Sequence, residues 1–193
     1  MDTSVVIIGV TFISLVLFLI FIAFYNGLVA KRNMAKNAFA TIDVMLKKRH
    51  DLIPNLVATV KNYMTHEKDL LTKVTELRSQ AMNDQGKSTN DRVNTENQIS
   101  ATLSKIILSV ENYPALKADK SFEHLQRSLN ETEEQISAAR RTFNAAVTEL
   151  SNSIEMFPSS VIASIAGFKQ MELLSTPENE RKNVDVGNLF GNK

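Results

Sequence analysis

The chain has 193 residues, with 22 Lys+Arg against 21 Asp+Glu and no cysteine. That length suits one domain, the lack of Cys excludes a disulfide framework, a zinc ribbon and a thiol nucleophile, and a net charge of +1 gives no general reason to expect nucleic acid. Only 6 Gly and 4 Pro punctuate a sequence rich in Ala, Leu, Lys, Glu, Asn and Ser, which favours helix over sheet.

The first element is "SVVIIGVTFISLVLFLIFIAFY", Ser4 to Tyr25, which contains no charged residue. As a helix it spans roughly 33 Å at about 1.5 Å per residue, enough to cross the hydrocarbon core of a bilayer. A cleaved signal peptide would need a basic segment before a shorter apolar run and a small-residue cleavage site. Here Met1, Asp2 and Thr3 precede the run and no Ala-x-Ala follows it, so we read a retained single-pass anchor. Bases follow the span at Lys31, Arg32 and Lys36, then Lys47, Lys48 and Arg49, and none precedes it. The positive-inside rule therefore predicts a short N-terminus outside (anchor 1–25) and the main domain (26–174) in the cytoplasm of a bacterial cell, at its inner membrane. Lys31, Arg32 and Lys36 flank the membrane and can touch anionic headgroups.

From Phe39, apolar residues recur in heptads, predicting one helix over about 28–82 with a kink near Pro54. One column reads Phe39, Leu46, Ile53, Val60, Glu67, Val74 and Ala81, and the other Ile42, Arg49, Leu56, Tyr63, Leu70 and Leu77. "NDQGKSTNDR", Asn83 to Arg92, reads as a loop. A second helix is predicted at 93–111, carrying Ile99, Leu103, Ile106, Ile107 and Val110 on one face and ending before Pro114. A third covers 121–156, with Phe122, Leu129, Ile136, Phe143, Leu150 and Phe157 as its column. A fourth covers 159–174 with Ser159 or Ser160 as its cap, and 175–193 is a tail. No strand alternation and no internal repeat is visible. Apolar seams on consecutive helices bury themselves only against one another, so the expected fold is all-α: a transmembrane helix continuing into an antiparallel bundle of long helices.

Four stretches resemble the LemA family of bacterial membrane proteins. They are "YNGLVAKRNMAKNAFATIDVMLKKRHDLIPNLVATVKNYMTHE" (Tyr25 to Glu67), "ENYPALKA" (Glu111 to Ala118), "AARRTFNAAV" (Ala138 to Val147) and "FPSSVIASIAGF" (Phe157 to Phe168). The resemblance covers nearly the whole chain. It implies a one-span anchor and a long-helix bundle, and supplies no reaction. The sequence departs from the family pattern at Leu150-Ser151, where Tyr-Asn is usual, and at Phe143, where Tyr is frequent.

Candidate chemistry is sparse. His50 and Asp51 point about 100° apart on a helix, and no Gly-flanked nucleophile lies near them. His66-Glu67 begins a zincin-like pattern, but Leu70 stands where its second His should be. There is no P-loop and no dinucleotide fingerprint, so we expect no enzyme activity and no cofactor or metal. The informative exceptions are polar residues in the apolar columns. Arg49 and Glu67 are placed first at the seam edge, with side chains reaching water. The alternative is a buried polar network of Arg49, Glu67, Glu133, Arg140 and Asn144, with Arg49 near Glu133 or Glu67 near Arg140 or Arg141. Phe157, Val161, Ile165 and Phe168 lie in a charge-free stretch that either closes the bundle or forms an interaction surface for the bilayer or another subunit. The expectation is a membrane-anchored scaffold that touches lipid, forms homo-oligomers and organises or remodels membrane. The alternative is a membrane-tethered signalling adaptor binding an unidentified protein partner.

Overall fold

A computed structural model describes residues 3–83 and 89–175. Among these residues six α-helices follow one another: α1 (Thr3–Val60), α2 (Lys68–Asn83), α3 (Thr89–Ser109), α4 (Pro114–Lys117), α5 (Lys120–Glu155) and α6 (Ser159–Ile165), with a 3-10 turn at Val110–Asn112. No strand occurs among the described residues. The fold is all-α, an apolar N-terminal helix continuing into an antiparallel bundle of long helices. Two compact units divide the described chain: 3–47 with 134–173, and 48–133 with 174–175. α1 and α5 supply residues to both.

In the first unit, the beginning of α1 is apolar and none of it is buried, as a membrane span without its lipid should be. Burial starts at Leu28 and continues through Ala35, Ala38, Ile42 and Leu46, a stripe with helical spacing. α5 answers with Ile136, Ala139, Phe143, Ala146, Val147 and Leu150. The Phe39 and Phe143 rings lie 5.5 Å apart, while Phe24 and Ile154 pack on one cluster. Partners thus move forward along α5 as they move back along α1, so the two run antiparallel. Phe143 and Leu150, where this chain lacks the family's hydroxyls, are buried.

α6 ends at Ile165, where a helix to 174 was expected. Gly167 stops it by adopting φ 69°, a left-handed conformation that a side chain would strain. The amide of Phe168 donates to the Ala163 carbonyl at 3.0 Å and that of Gly167 to Ser164 at 3.3 Å, the double bond of a Schellman cap. The serines do not cap its start. Pro158 occupies that position, and the Ser159 hydroxyl instead donates back to the Met156 carbonyl at 2.9 Å.

The second unit holds a continuous core of Ile53, Leu56, Val60, Met64, Leu71, Val74, Leu77, Ile99, Leu103, Ile106, Val110, Leu116, Phe122 and Leu129. Its main departure from expectation lies at 61–67. The single helix over 28–82 is two helices here, separated by a turn. The heptad column would have placed Glu67 in the core, and burying an unpaired carboxylate there is costly. The chain reverses first: the Met64 amide closes on the Val60 carbonyl at 2.9 Å and the Met64 side chain fills the core. α2 then restarts in a new phase, burying Leu71 with Val74 and Leu77, while Tyr63 is exposed. The loop expected at 83–92 is shorter: α2 reaches Asn83 and α3 begins at Thr89, with 84–88 outside the described residues. Before α5, Asp119 Oδ1 accepts from the Ser121 and Phe122 amides at 2.7 and 3.3 Å, satisfying two of the donors a helix start leaves open. These bonds hold its carboxyl below the usual range. The tail 175–193 lies outside the described residues beyond Ser175.

Candidate functional site

Arg49 is among the largest fully buried side chains, with 0% of it exposed. The seam-edge placement is therefore wrong, because the side chain has no surface open to solvent. Both terminal nitrogens of its guanidinium are doubly engaged. Nη1 donates to Glu133 Oε2 on α5 at 2.8 Å and to the Ser100 hydroxyl on α3 at 2.7 Å. Nη2 donates to the carbonyl of Glu96 at 3.3 Å and to its carboxylate Oε2. Ser100 links the two acids further by donating to Glu133 Oε1 at 2.6 Å. Arg49 Nε is buried with no hydrogen-bond partner among the described residues. A planar fork of donors meeting two carboxylates is the geometry for which Arg, and not Lys, is suited.

Glu96 is the member that column-reading on α1 misses. It lies seven residues before Leu103 and three before Ile99, in the apolar stripe of α3, and is buried. A Glu interrupting one seam as an Arg interrupts another was the available signal. Its second partner is His50, whose Nε2 lies 3.0 Å from Oε1. His50 therefore faces α3, and the neighbouring Asp51 is exposed. No catalytic pair forms from the two, and no group of three or more metal-ligating side chains gathers among the described residues.

The backbone of this region carries a second polar device. An α-helical carbonyl normally accepts from the amide four residues on, but His50 faces Pro54, which has no N–H. α1 nevertheless continues through Pro54 to Val60. Arg78 on α2 supplies the missing donor, its Nε reaching the His50 carbonyl at 2.7 Å.

The other expected network members are placed elsewhere. Glu67 is half-buried in the turn, where its carbonyl accepts from the Leu70 and Leu71 amides and so starts α2. Arg140 is buried and Asn144 half-buried, one turn apart on the first-unit part of α5, and neither is among the hydrogen-bond partners of Arg49, which are Glu96, Ser100 and Glu133. Among the membrane-flanking bases, Lys31 is half-buried and Lys36 exposed, and the Arg32 guanidinium stands 5.1 Å from the centre of the Phe168 ring. Phe168 is thus separated from its expected companions. It packs against the Leu28–Ile162–Ala163 cluster, whereas Phe157, Val161 and Ile165 are exposed.

The charges of the cluster set a pH response. Burial pushes the Glu96 carboxyl up, but the His50 hydrogen bond and the Arg49 charge outweigh it and hold the group below its ordinary 4.5. A carboxyl lowered in the folded state contributes stability in full above pH 4.5 and loses it as pH falls through the folded value. Melting curves from pH 6 to 3 should accordingly show the wild type losing stability below about 4.5 more steeply than Glu96→Gln. Parallel declines would show that Glu96 carries none of the acid sensitivity.

The sequence pattern of the LemA family matches residues 38–187. The chain is similar to Protein LemA of Metamycoplasma hominis, 24% identical over 174 residues that make up 90% of this chain and 79% of that protein. It is also similar to Magnetosome protein MamQ of Magnetospirillum gryphiswaldense, 22% identical, with 77% of this chain and 63% of the relative covered. Magnetosome protein MamQ 2 of Paramagnetospirillum magneticum is 23% identical with the same coverage, so the chain spans less than two thirds of either magnetosome relative. The family match extends over most of the chain and the apolar beginning of α1 stands uncovered ahead of it: this is a membrane protein, and it belongs to the LemA family.

Proposed function

We propose that the protein is a non-enzymatic, single-pass scaffold of the bacterial cytoplasmic membrane, with its bundle on the cytoplasmic face. The observation that carries this reading is α1 itself. One helix begins as an uncovered apolar segment and, without a break, becomes a core element of the bundle. Such a helix tethers the bundle to lipid with no intervening linker. The bases at Lys31, Arg32, Lys36, Lys47 and Lys48 follow the apolar segment, which favours retention of that side in the cytoplasm. The buried polar cluster uses its acids and bases on one another, an arrangement that fixes the register of three helices. Tethering to a plane raises local concentration, so modest contacts between copies become effective, and self-assembly is the route by which such a bundle would organise or reshape membrane. Relatives named as magnetosome proteins fit a role at a membrane compartment.

The test is assembly on lipid. Full-length protein reconstituted into vesicles should cross-link into species larger than a dimer, and vesicle shape should change with protein density. Monomers on unaltered vesicles at every density would overturn the scaffold reading.

A further inference from the structure

α6 has two faces with different fates. One docks on α1: Ile162 and Ala163 are buried with Leu28, and Phe24, Ile154 and Phe168 pack around them. The docking point therefore lies just past Tyr25, where the strongly apolar run gives way to Asn26 and Gly27, and just before the first charge that follows, Lys31. The other face is uncovered. Val161 is 51% exposed and Ile165 72%, and their spacing of four residues puts them on one face of α6, while Phe157, 83% exposed, and Met156 stand uncovered in the turn just before the helix. No charged residue occurs from Met156 to Phe168. Four exposed large apolar side chains within ten residues, with no charge among them, mark a contact surface.

Its position says what covers it. Leu28 follows Tyr25 by three residues, about 4.5 Å along a helix at ~1.5 Å per residue. The polar layer on each side of a bilayer core is roughly 5–7 Å deep, from a total thickness of about 40–45 Å over a core of about 30 Å. α6 thus lies level with the interfacial layer, beside a helix segment whose own surface needs lipid. The residues around it match that layer. The Tyr25 ring meets Phe168 edge-on at 6.0 Å, and Arg32 stacks over Phe168 from the polar side. Aromatic rings and a cation with an apolar stem are the side chains that settle at the boundary between hydrocarbon and headgroups.

We propose that the segment from Met156 to Ile165 is a second membrane contact, in which Phe157, Val161 and Ile165 insert into the leaflet on the bundle's side, next to the anchor. This rests on the reading of α1 as a membrane span. Two attachments fix the first unit against the bilayer where one would let it swivel. Shallow apolar insertion into a single leaflet also enlarges that leaflet selectively, so each copy bears on local curvature.

Because the chain has no cysteine, single introduced cysteines label cleanly. Val161→Cys and Ile165→Cys lie on the uncovered face, Leu15→Cys lies in the span and Thr142→Cys lies on an exposed position of α5. The full chain carrying an environment-sensitive fluorophore is placed in phosphatidylcholine–phosphatidylglycerol vesicles. Nitroxide lipids quench from shallow or deep positions, and iodide quenches from water. Probes at 161 and 165 should be quenched several-fold more by the shallow nitroxide than the probe at 142. They should resist iodide and report a depth of roughly 5–10 Å below the headgroup boundary. Iodide quenching equal to that at 142 would show the face to be wet and overturn the proposal. Protection from both quenchers would also overturn it, and would assign the face to a second copy of the chain. The probe at 15 separates the two claims: if the deep nitroxide reaches it while 161 and 165 stay dark to lipid, the anchor stands and the second contact falls. If it escapes both lipid quenchers, the anchor reading itself fails.

Discussion

Replacing Arg49 by Leu should destabilise the second unit by about 3–5 kcal/mol, the usual effect of removing one partner from a buried charge pair. For a chain of this size that is a fall in melting temperature of roughly 10 °C. Leu fits the heptad column better than Arg, so an argument from seam pattern alone gives the opposite sign. The decisive fact is what Arg49 leaves behind. Glu96 is only 7% exposed through its side chain and would keep His50 as its remaining partner, while Glu133, at 42%, can turn toward water. Most of the loss therefore belongs to Glu96. Adding Glu96→Leu to Arg49→Leu should recover much of the stability, because two apolar residues then face each other where a stranded carboxylate stood. Arg49→Lys should fall between wild type and Leu, since an ammonium keeps the charge but cannot span α3 and α5 with a fork. Circular dichroism melts of the full chain in detergent micelles read all three. A rise in melting temperature for Arg49→Leu would mean that the pair contributes nothing to folding, and only register would remain as its role.

The polar cluster shows why some of this site was legible and some not. Periodicity finds the exceptions, since an Arg among Phe, Ile and Leu at heptad spacing stands out, and an antiparallel partner for it could be guessed at Glu133. It does not say whether an exception is buried. Arg49 and Glu67 look alike in the pattern, and their fates diverge because only Arg49 meets carboxylates on two other helices. Glu67 has no such partner among the described residues, and the chain reverses ahead of it, which is also why the expected helix over 28–82 is two helices. No Gly or Pro marks that reversal. The end of α6 had a visible cause in Gly167, but a left-handed turn is only one of several things a glycine permits. The membrane span and the all-α bundle were the most readable features, because both follow from long runs whose meaning does not depend on a distant residue.

Arg78 offers a prediction with an internal control. Arg78→Ala should cost about 1–3 kcal/mol, the desolvation penalty of a carbonyl left without a donor in a part-buried position. The carbonyl is that of His50, and it lacks its helical donor only because residue 54 is proline. Pro54→Ala restores an N–H four residues after His50 and relieves the contact between the proline ring and that carbonyl. In the Pro54→Ala background, Arg78→Ala should therefore cost much less than in the wild type, where the carbonyl depends on it. A coupling energy of at least about 0.5 kcal/mol between two residues on different helices would establish that Arg78 substitutes for the amide that Pro54 lacks. Additive effects would mean that Arg78 acts only through packing of its stem against α1. The pair also bears on how α1 can be both anchor and core. A helix with an unfilled gap at residue 50 would bend or fray there, within the core of the second unit. By supplying the donor from α2, the second unit keeps that helix intact across the one position where its sequence would interrupt it.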